Sequence, residues 1–320
     1  MAKTAMAGKQ NATHSRKRKP RLGQNFLLDV GAAQRIVEAL GDVSNRTVIE
    51  IGPGRGVLTD LLLRRARRVI GIELDRVLAA QLRMRYATKG NVEILESDFV
   101  SAEFASMMGR RPGPLHDLRP TRPETVDVIG NLPYYITSDI VLRILDLHQH
   151  IERAVIMVQK EVADRIAASP GSREYGLFSA TVQLFARVEK LFTLPPAAFF
   201  PQPEVHSTVI RLTIAPRLEE LQVEKQPFLT FLKLAFVQKR KTLANNLRGH
   251  YQADAIHAAL KVAGLRADVR AEAMSLGKAA AVFRALQPSS RPSARCARSG
   301  QAPASRIGDS EPSKRRKLSL

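Results

Sequence analysis

Residues 46–75 read RTVIEIGPGRGVLTDLLLRRARRVIGIELD. The stretch opens on a short β-branched run, RTVIEIG, that ends in glycine. A helical pattern, VLTDLLLRRARR, follows, and a second strand-like run, VIGIELD, closes it. Strand, glycine turn, helix and strand in one short stretch predict a parallel pair joined by a right-handed crossover. The alternation continues outward. On the N-terminal side, VGAAQRIVEALG (30–41) has helical spacing and a C-capping Gly41. On the C-terminal side come helix RVLAAQLRMRY, strand NVEILESD, a loop over 105–125, strand TVDVIGN and helix SDIVLRILDLH. Strand RAVIMVQ and helix KEVADRIAA complete the series. The expected fold class is α/β, a mostly parallel sheet with helices on both faces.

The character changes near residue 215. PFLTFLKLAFVQKRKTLANNLRG, ADAIHAALKVAG and GKAAAVFRALQ all read as helices, so a small all-helical C-terminal domain is expected over 216–287, after an α/β domain over 21–215. Residues 1–20 and 288–320 are basic and lack core-forming residues; both are expected to be disordered.

The formal net charge is +20, which points to a polyanionic partner. Residues 1–22 carry +7 and 288–320 carry +6, so subtracting these from +20 leaves +7 on the body. The body alone is therefore basic enough to keep the nucleic-acid reading. Cys296 is the only cysteine, which excludes an intrachain disulfide framework and a cysteine zinc site. No metal is expected. No apolar run reaches the roughly 18 residues of a membrane span, and the basic N-terminus lacks a secretory hydrophobic region. A cytoplasmic monomer is expected, with an organellar transit peptide at the N-terminus left open.

Residues 50–56, Glu50-Ile51-Gly52-Pro53-Gly54-Arg55-Gly56, lie between the first strand of the pair and its helix. A lone G-x-G fits any β–α turn. Here the leading acid and the third glycine, two residues after the second, depart from the dinucleotide pattern and fit S-adenosylmethionine better than a pyrophosphate. Glu73 ends the second strand, where an acid accepts ribose hydroxyls. Asp98 ends the third, placed to accept from an adenine amino group, and Asn131 ends the fourth. Ligands of open parallel sheets bind outside the carboxyl ends of strands, so Gly52, Gly54, Glu73, Asp98 and Asn131 fall on one edge.

Residues 128–137, VIGNLPYYIT, bring an amide, a rigid proline and two aromatic rings to that edge. The exocyclic amine of adenine is a poor nucleophile because its lone pair is delocalised into the ring. The Asn131 side-chain oxygen and the Leu132 carbonyl are candidates to accept its two N–H bonds and aim the lone pair at a methyl group. Pro133 stiffens the segment. Tyr134 offers a ring on which an unstacked base can rest. GQNFLLD (23–29) is placed to close over the cofactor. Phe199, in PPAAFFPQPEVHSTVIRL, is a candidate second face of an aromatic clamp, or a core residue. Lys239, Arg240 and Lys241 stack at a helix and form a candidate phosphate-contacting, RNA-binding patch.

Taken in order, GQNFL, EIGPGRGVLT, IELD, SDF, GNLPYYI, VQKEVADRI, FFPQPEVHSTVIRL and FVQKRKTLANNL resemble the ribosomal RNA small subunit adenine-N6 dimethyltransferase family over about residues 20–285. The resemblance implies a Rossmann-like methyltransferase domain with S-adenosylmethionine as cofactor. It implies transfer of methyl groups to N6 of two adjacent adenosines in the 3′-terminal hairpin loop of 16S rRNA, in the small ribosomal subunit or its precursor. It implies cofactor contacts at Asn25, Leu27, Gly52, Glu73, Asp98 and Asn131, and target-base contacts at Asn131, Leu132, Pro133, Tyr134 and Phe199. Tyr135 and Phe200 depart from the family's pattern, and both stand where they would reshape the entrance. Related alternatives are the large-subunit rRNA adenine methyltransferases of macrolide resistance and a non-catalytic nucleic-acid-binding relative. QKRKTLANNL favours the small-subunit branch over the first, and the intact acid set argues against the second.

Overall fold

The computed structural model describes residues 24–108 and 125–287. The two predicted disordered ends and most of the predicted 105–125 loop lie outside these residues. The chain begins with β1 (Phe26–Leu27), α1 (Val30–Glu38), β2 (Thr47–Ile51), α2 (Val57–Leu62), β3 (Arg68–Glu73) and α3 (Arg76–Arg85). Next come β4 (Val92–Glu96), α4 (Phe104–Met107), β5 (Val126–Asn131), α5 (Thr137–Asp146), β6 (Ile151–Gln159) and α6 (Lys160–Ile166). Then α7 (Leu177–Phe185), β7 (Ala186–Leu194), β8 (Phe199–Phe200) and β9 (Ser207–Ile214) complete the sheet region. Helices α8 (Leu218–Leu221), α9 (Lys225–Ala235), α10 (Leu243–Leu247), α11 (Ala253–Val262) and α12 (Leu276–Leu286) follow.

Seven strands form one sheet in the order β4-β3-β2-β5-β6-β9-β7. The first five are parallel, and β9 runs antiparallel between β6 and β7. β2 is buried along its whole length, as a strand covered on both faces must be. Strand order reverses beside it: β3 and β4 lie to one side, β5 and β6 to the other. Such a switch point opens a crevice at the carboxyl ends of the strands. Ile51 pairs with Gly130 across it, so the glycine turn after β2 and Asn131 at the end of β5 emerge side by side.

The βαβ reading of residues 46–75 holds, with one correction. The predicted 57–68 helix is only α2, because Arg65 and Ala66 both donate to Leu62 O and turn the chain. Arg68 already belongs to β3, opposite Thr47. Sequence patterning assigns no element to 169–194, where the structure has α7 and β7. β7 is an edge strand carrying Arg187, Glu189 and Lys190, so the apolar signal of a buried strand is absent. The predicted helix over 227–249 is two helices. Asn246 Nδ2 donates to Ala235 O and Gln238 O at 2.7 and 3.2 Å, ending α9, and Thr242 Oγ1 accepts from Asn245 N to start α10. Lys239, Arg240 and Lys241 therefore lie in the connecting turn, not on a helix. The predicted boundary at 215/216 falls between β9 and α8, and one apolar cluster runs from Ile49 and Val128 of the sheet to Phe228, Phe231 and Phe283 of the helices.

Candidate active site

The glycine turn after β2 needs left-handed backbone and, at Gly54, passes tightly against a neighbour. Gly54 has φ +57°, and a Cβ there would lie 3.1 Å from the Phe26 ring. Its N–H donates to Glu73 Oε2 at 2.9 Å, and Asp75 N donates to Glu73 Oε1 at 2.9 Å. Glu73 is thus pinned between the glycine turn and the start of α3. Burial pushes its carboxyl up, and these two N–H donors pull it back down. Asp98, after β4, accepts from Val100 N at 3.0 Å and Ser101 Oγ at 3.1 Å.

Glu50 is a lining residue to which the sequence reading gives no role of its own. It is 1% exposed in mid-strand and accepts from Thr59 Oγ1 at 2.6 Å. Burial pushes its carboxyl up to about 8 against the pull of Thr59. The available signal was a lone acid inside an otherwise apolar strand.

Asn131 closes β5. Its Nδ2 donates to Asn25 O at 2.7 Å, which fixes the amide with Oδ1 as the remaining acceptor. Leu132 N donates to Met157 O. The Pro133 carbonyl accepts from Ile136 N and Thr137 Oγ1 and starts a short turn into α5. Tyr134 is half-buried, with its hydroxyl 2.6 Å from Ser207 Oγ, and burial raises its pKa while Ser207 lowers it. Asn25 is held in turn by the β1–β8 ribbon, in which Phe26 pairs with Phe200 and Leu27 with Phe199. The sequence signal for that ribbon is weak, since each strand has only two residues.

One cleft gathers Asn25, Leu27, Gly52, Gly54, Glu73, Asp98, Asn131, Leu132, Pro133 and Tyr134. Phe199 is not among its lining residues. It is 3% exposed and packs in the apolar cluster of Leu27, Leu194 and Val209, so in this structure it is a core ring, while Phe200 beside it is 44% exposed. Lys239, Arg240 and Lys241 also lie outside the cleft. The ionisable lining residues are Glu50, Glu73, Asp98 and Arg55, whose guanidinium sits 4.7 Å over the Phe26 ring. With Glu50 held mostly as the neutral acid, Glu73 and Asp98 are the acids left to face a ligand, and an acidic rim in a chain of net charge +20 suits a cationic adenosyl ligand with ribose hydroxyls better than a pyrophosphate. These residues fit S-adenosylmethionine: Glu73 for the ribose, Asp98 for the adenine, and the open glycine turn for close backbone approach.

Residues 15–287 match the family described as ribosomal RNA adenine dimethylase. The chain belongs to that family. It is 58% identical over 282 residues to ribosomal RNA small subunit methyltransferase A of Koribacter versatilis, covering 88% of this chain and 98% of that protein. The protein of the same description from Acidobacterium capsulatum is 52% identical over 277 residues, 86% of this chain and 94% of that protein. Among solved structures, the 23S rRNA methyltransferase ErmE superposes with a TM-score of 0.62 at 27% identity, covering 82% of this chain and all of that one. A dimethyladenosine transferase from Plasmodium falciparum superposes with a TM-score of 0.66 at 23% identity, covering 80% and 95% of the two chains, which speaks to the fold. The Rossmann-like methyltransferase fold, an enzymatic role as a ribosomal RNA adenine dimethylase and S-adenosylmethionine as methyl donor follow from membership. Among the described residues no helix is long and apolar enough to cross a membrane, and no group of three or more His, Cys, Asp or Glu could hold a metal ion.

Proposed function

We propose that this chain dimethylates N6 of two adjacent adenosines in the 3′-terminal hairpin loop of 16S rRNA, acting as a cytoplasmic monomer on the small subunit or its precursor. The observation that carries the reading is the juxtaposition of a cleft bearing Glu73 and Asp98 with a fixed Asn131 amide at its rim. Identities of 58% and 52% to small-subunit enzymes, against 27% to a large-subunit one, favour the small-subunit substrate.

S-adenosylmethionine, when bound, supplies an electrophilic methyl group on a sulfonium. The residues of the chain do the positioning. Asn131 Oδ1 accepts one N–H of the target amine, and the Leu132 carbonyl accepts the other. Both bonds bias the nitrogen toward a tetrahedral geometry, with its lone pair directed into the cleft. Tyr134 stacks on the everted base, worth about 1–3 kcal/mol. Glu73 and Asp98 hold the adenosyl end, and Gly54 admits it without a side chain. Catalysis is then alignment of two partners rather than proton abstraction before transfer. Lys239, Arg240 and Lys241, in the α9–α10 turn, contact RNA phosphates outside the cleft. Phe199, a core ring of β8 packed with Leu27 and Val209, holds the β1–β8 ribbon that presents Asn25.

Methylation of purified small subunits, with the modified adenosines mapped by mass spectrometry, tests the reading. Two dimethyladenosines in the 3′-terminal hairpin are expected with the native chain and none with Asn131→Ala. Modification of the large subunit instead, or full activity of Asn131→Ala, overturns it.

A further inference from the structure

The Asn-Leu-Pro-Tyr segment is anchored by the Asn131 side chain and by its backbone before its ring is considered. Asn131 is tied to Asn25 O, Leu132 N to Met157 O, and the Pro133 carbonyl to Ile136 N and Thr137 Oγ1. What these anchors leave undetermined is the direction of the Tyr134 ring. Its hydroxyl reaches 2.6 Å to Ser207 Oγ. Ser207 is the first residue of β9 and is 0% exposed. It pairs with Gln159 of β6 on one side and Leu194 of β7 on the other, so its backbone is fixed by two strands. It is not among the residues that line the cleft. A buried hydroxyl needs a partner, and Tyr134 supplies it. A small polar residue at this sheet position is explained by that bond, since packing alone would favour a β-branched apolar side chain.

We propose that Ser207 is a positioning residue for base capture: its hydroxyl fixes the direction in which the Tyr134 ring projects, and so the place where the target base stacks. The proposal rests on the reading of Tyr134 as the stacking ring. Ser207 acts through Tyr134 and touches neither the base nor the methyl donor. Loss of that bond lets the ring swing away and lowers the fraction of everted bases held in line. Binding of the donor, which depends on the Glu73 and Gly54 side of the cleft, is untouched.

The test compares the native chain with Ser207→Ala, Ser207→Thr, Tyr134→Phe, the Ser207→Ala/Tyr134→Phe double variant and Asn131→Ala. Methyl transfer to purified small subunits is measured alongside S-adenosylmethionine calorimetry and thermal melts. Ser207→Ala and Tyr134→Phe are each expected to lower kcat/KM for the subunit about tenfold, with donor affinity unchanged within about twofold. The double variant is expected to be no worse than either single one, because both remove the same bond. Ser207→Thr keeps the hydroxyl and is expected to retain most activity. Native activity in Tyr134→Phe, multiplication of the two effects to about a hundredfold in the double variant, or loss of donor affinity in step with transfer each overturns the proposal. Should Ser207→Ala not fold, Tyr134→Phe decides alone. If Asn131→Ala itself retains transfer, the underlying reading of the site fails instead.

Discussion

Glu50 concentrates the electrostatic tension of the site in one side chain. It lies in mid-strand with Thr59 as its hydroxyl donor, and burial pushes its carboxyl to about 8 from an ordinary value of 4.5. Between those values the folded chain keeps the proton and the unfolded chain releases it. The folded state then binds more protons, so stability falls as pH rises through this window. The donor-free protein is expected to melt higher at pH 5 than at pH 8.5. Glu73 is also pushed up by burial and adds to the same slope. Glu50→Gln keeps an acceptor for Thr59 and removes the titration. Its melting temperature should therefore vary much less between pH 5 and pH 8.5, rising above that of the native chain at the alkaline end by about 2–4 °C per kcal/mol recovered. Melts across that range check this, and an unchanged slope in the variant would refute it.

At the scale of elements, the least conspicuous pair has the largest leverage on the site. β1 and β8 are two residues each, yet they set the Asn25 carbonyl that orients Asn131. Leu28 N extends the ribbon by donating to Ala198 O at 2.8 Å, and the Leu28 side chain is exposed. Leu28→Pro deletes that donor at small cost to packing. The expected result is a drop in kcat of about tenfold or more with a stability loss near the 0.5–1.5 kcal/mol of one hydrogen bond, read by transfer assays and urea titration. Native kcat in a variant with normal stability would show that the ribbon does not orient Asn131. The glycine turn offers a second case. Gly56 has φ +82°, and a Cβ there would fall well inside contact distance of the Tyr86 hydroxyl, which bonds Asp60 Oδ1 at 2.8 Å from behind the turn. Gly56→Ala should destabilise by about 1–3 kcal/mol and weaken S-adenosylmethionine binding, seen in calorimetry of the folded variant. Native donor affinity there would separate Gly56 from the cofactor turn. These elements also mark what the sequence made legible. The parallel strands are dense apolar runs that end in turn residues, so Gly52, Glu73, Asp98 and Asn131 could be placed on one edge from pattern alone. The β1–β8 ribbon has no period to detect, β7 is a charged edge strand, and the break between α9 and α10 depends on Asn246 reaching back across the turn. Burial of Phe199 is a tertiary outcome: Phe199 and Phe200 are chemically alike, and only strand pairing decides which faces the core.

Across the whole molecule, the two ends of the parallel strands carry separate duties. Asn131 ends β5 at the cleft, while Asp127, 0% exposed, sits about 13 Å back along the same strand. There Asp127 pairs with Arg46 and, at 3.0 Å, with Arg153 Nε, and Arg46 pairs at 2.8 Å with Glu152. Arg153 also donates to Leu40 O, which ties the end of α1 to the network. Basic residues in a chain of net charge +20 are usually read as RNA contacts, but these two guanidiniums are committed to a buried carboxylate. Removing that carboxylate takes one acceptor from each of two partly buried guanidiniums, which keep Glu152 and the Leu40 carbonyl, so the cost is expected at or below the about 3–5 kcal/mol of a buried pair that loses one partner. Asp127→Ala should therefore lower the urea midpoint sharply without changing its slope. Because the cleft residues are held from the opposite end by Asn25, Glu73 and Ser207, donor affinity should stay within about twofold at temperatures where the variant is folded. Calorimetry and urea titration on the same preparation check both halves. A fall in donor affinity that tracks the stability loss would mean that the strand transmits strain between its ends, and that anchor and cleft are one coupled unit.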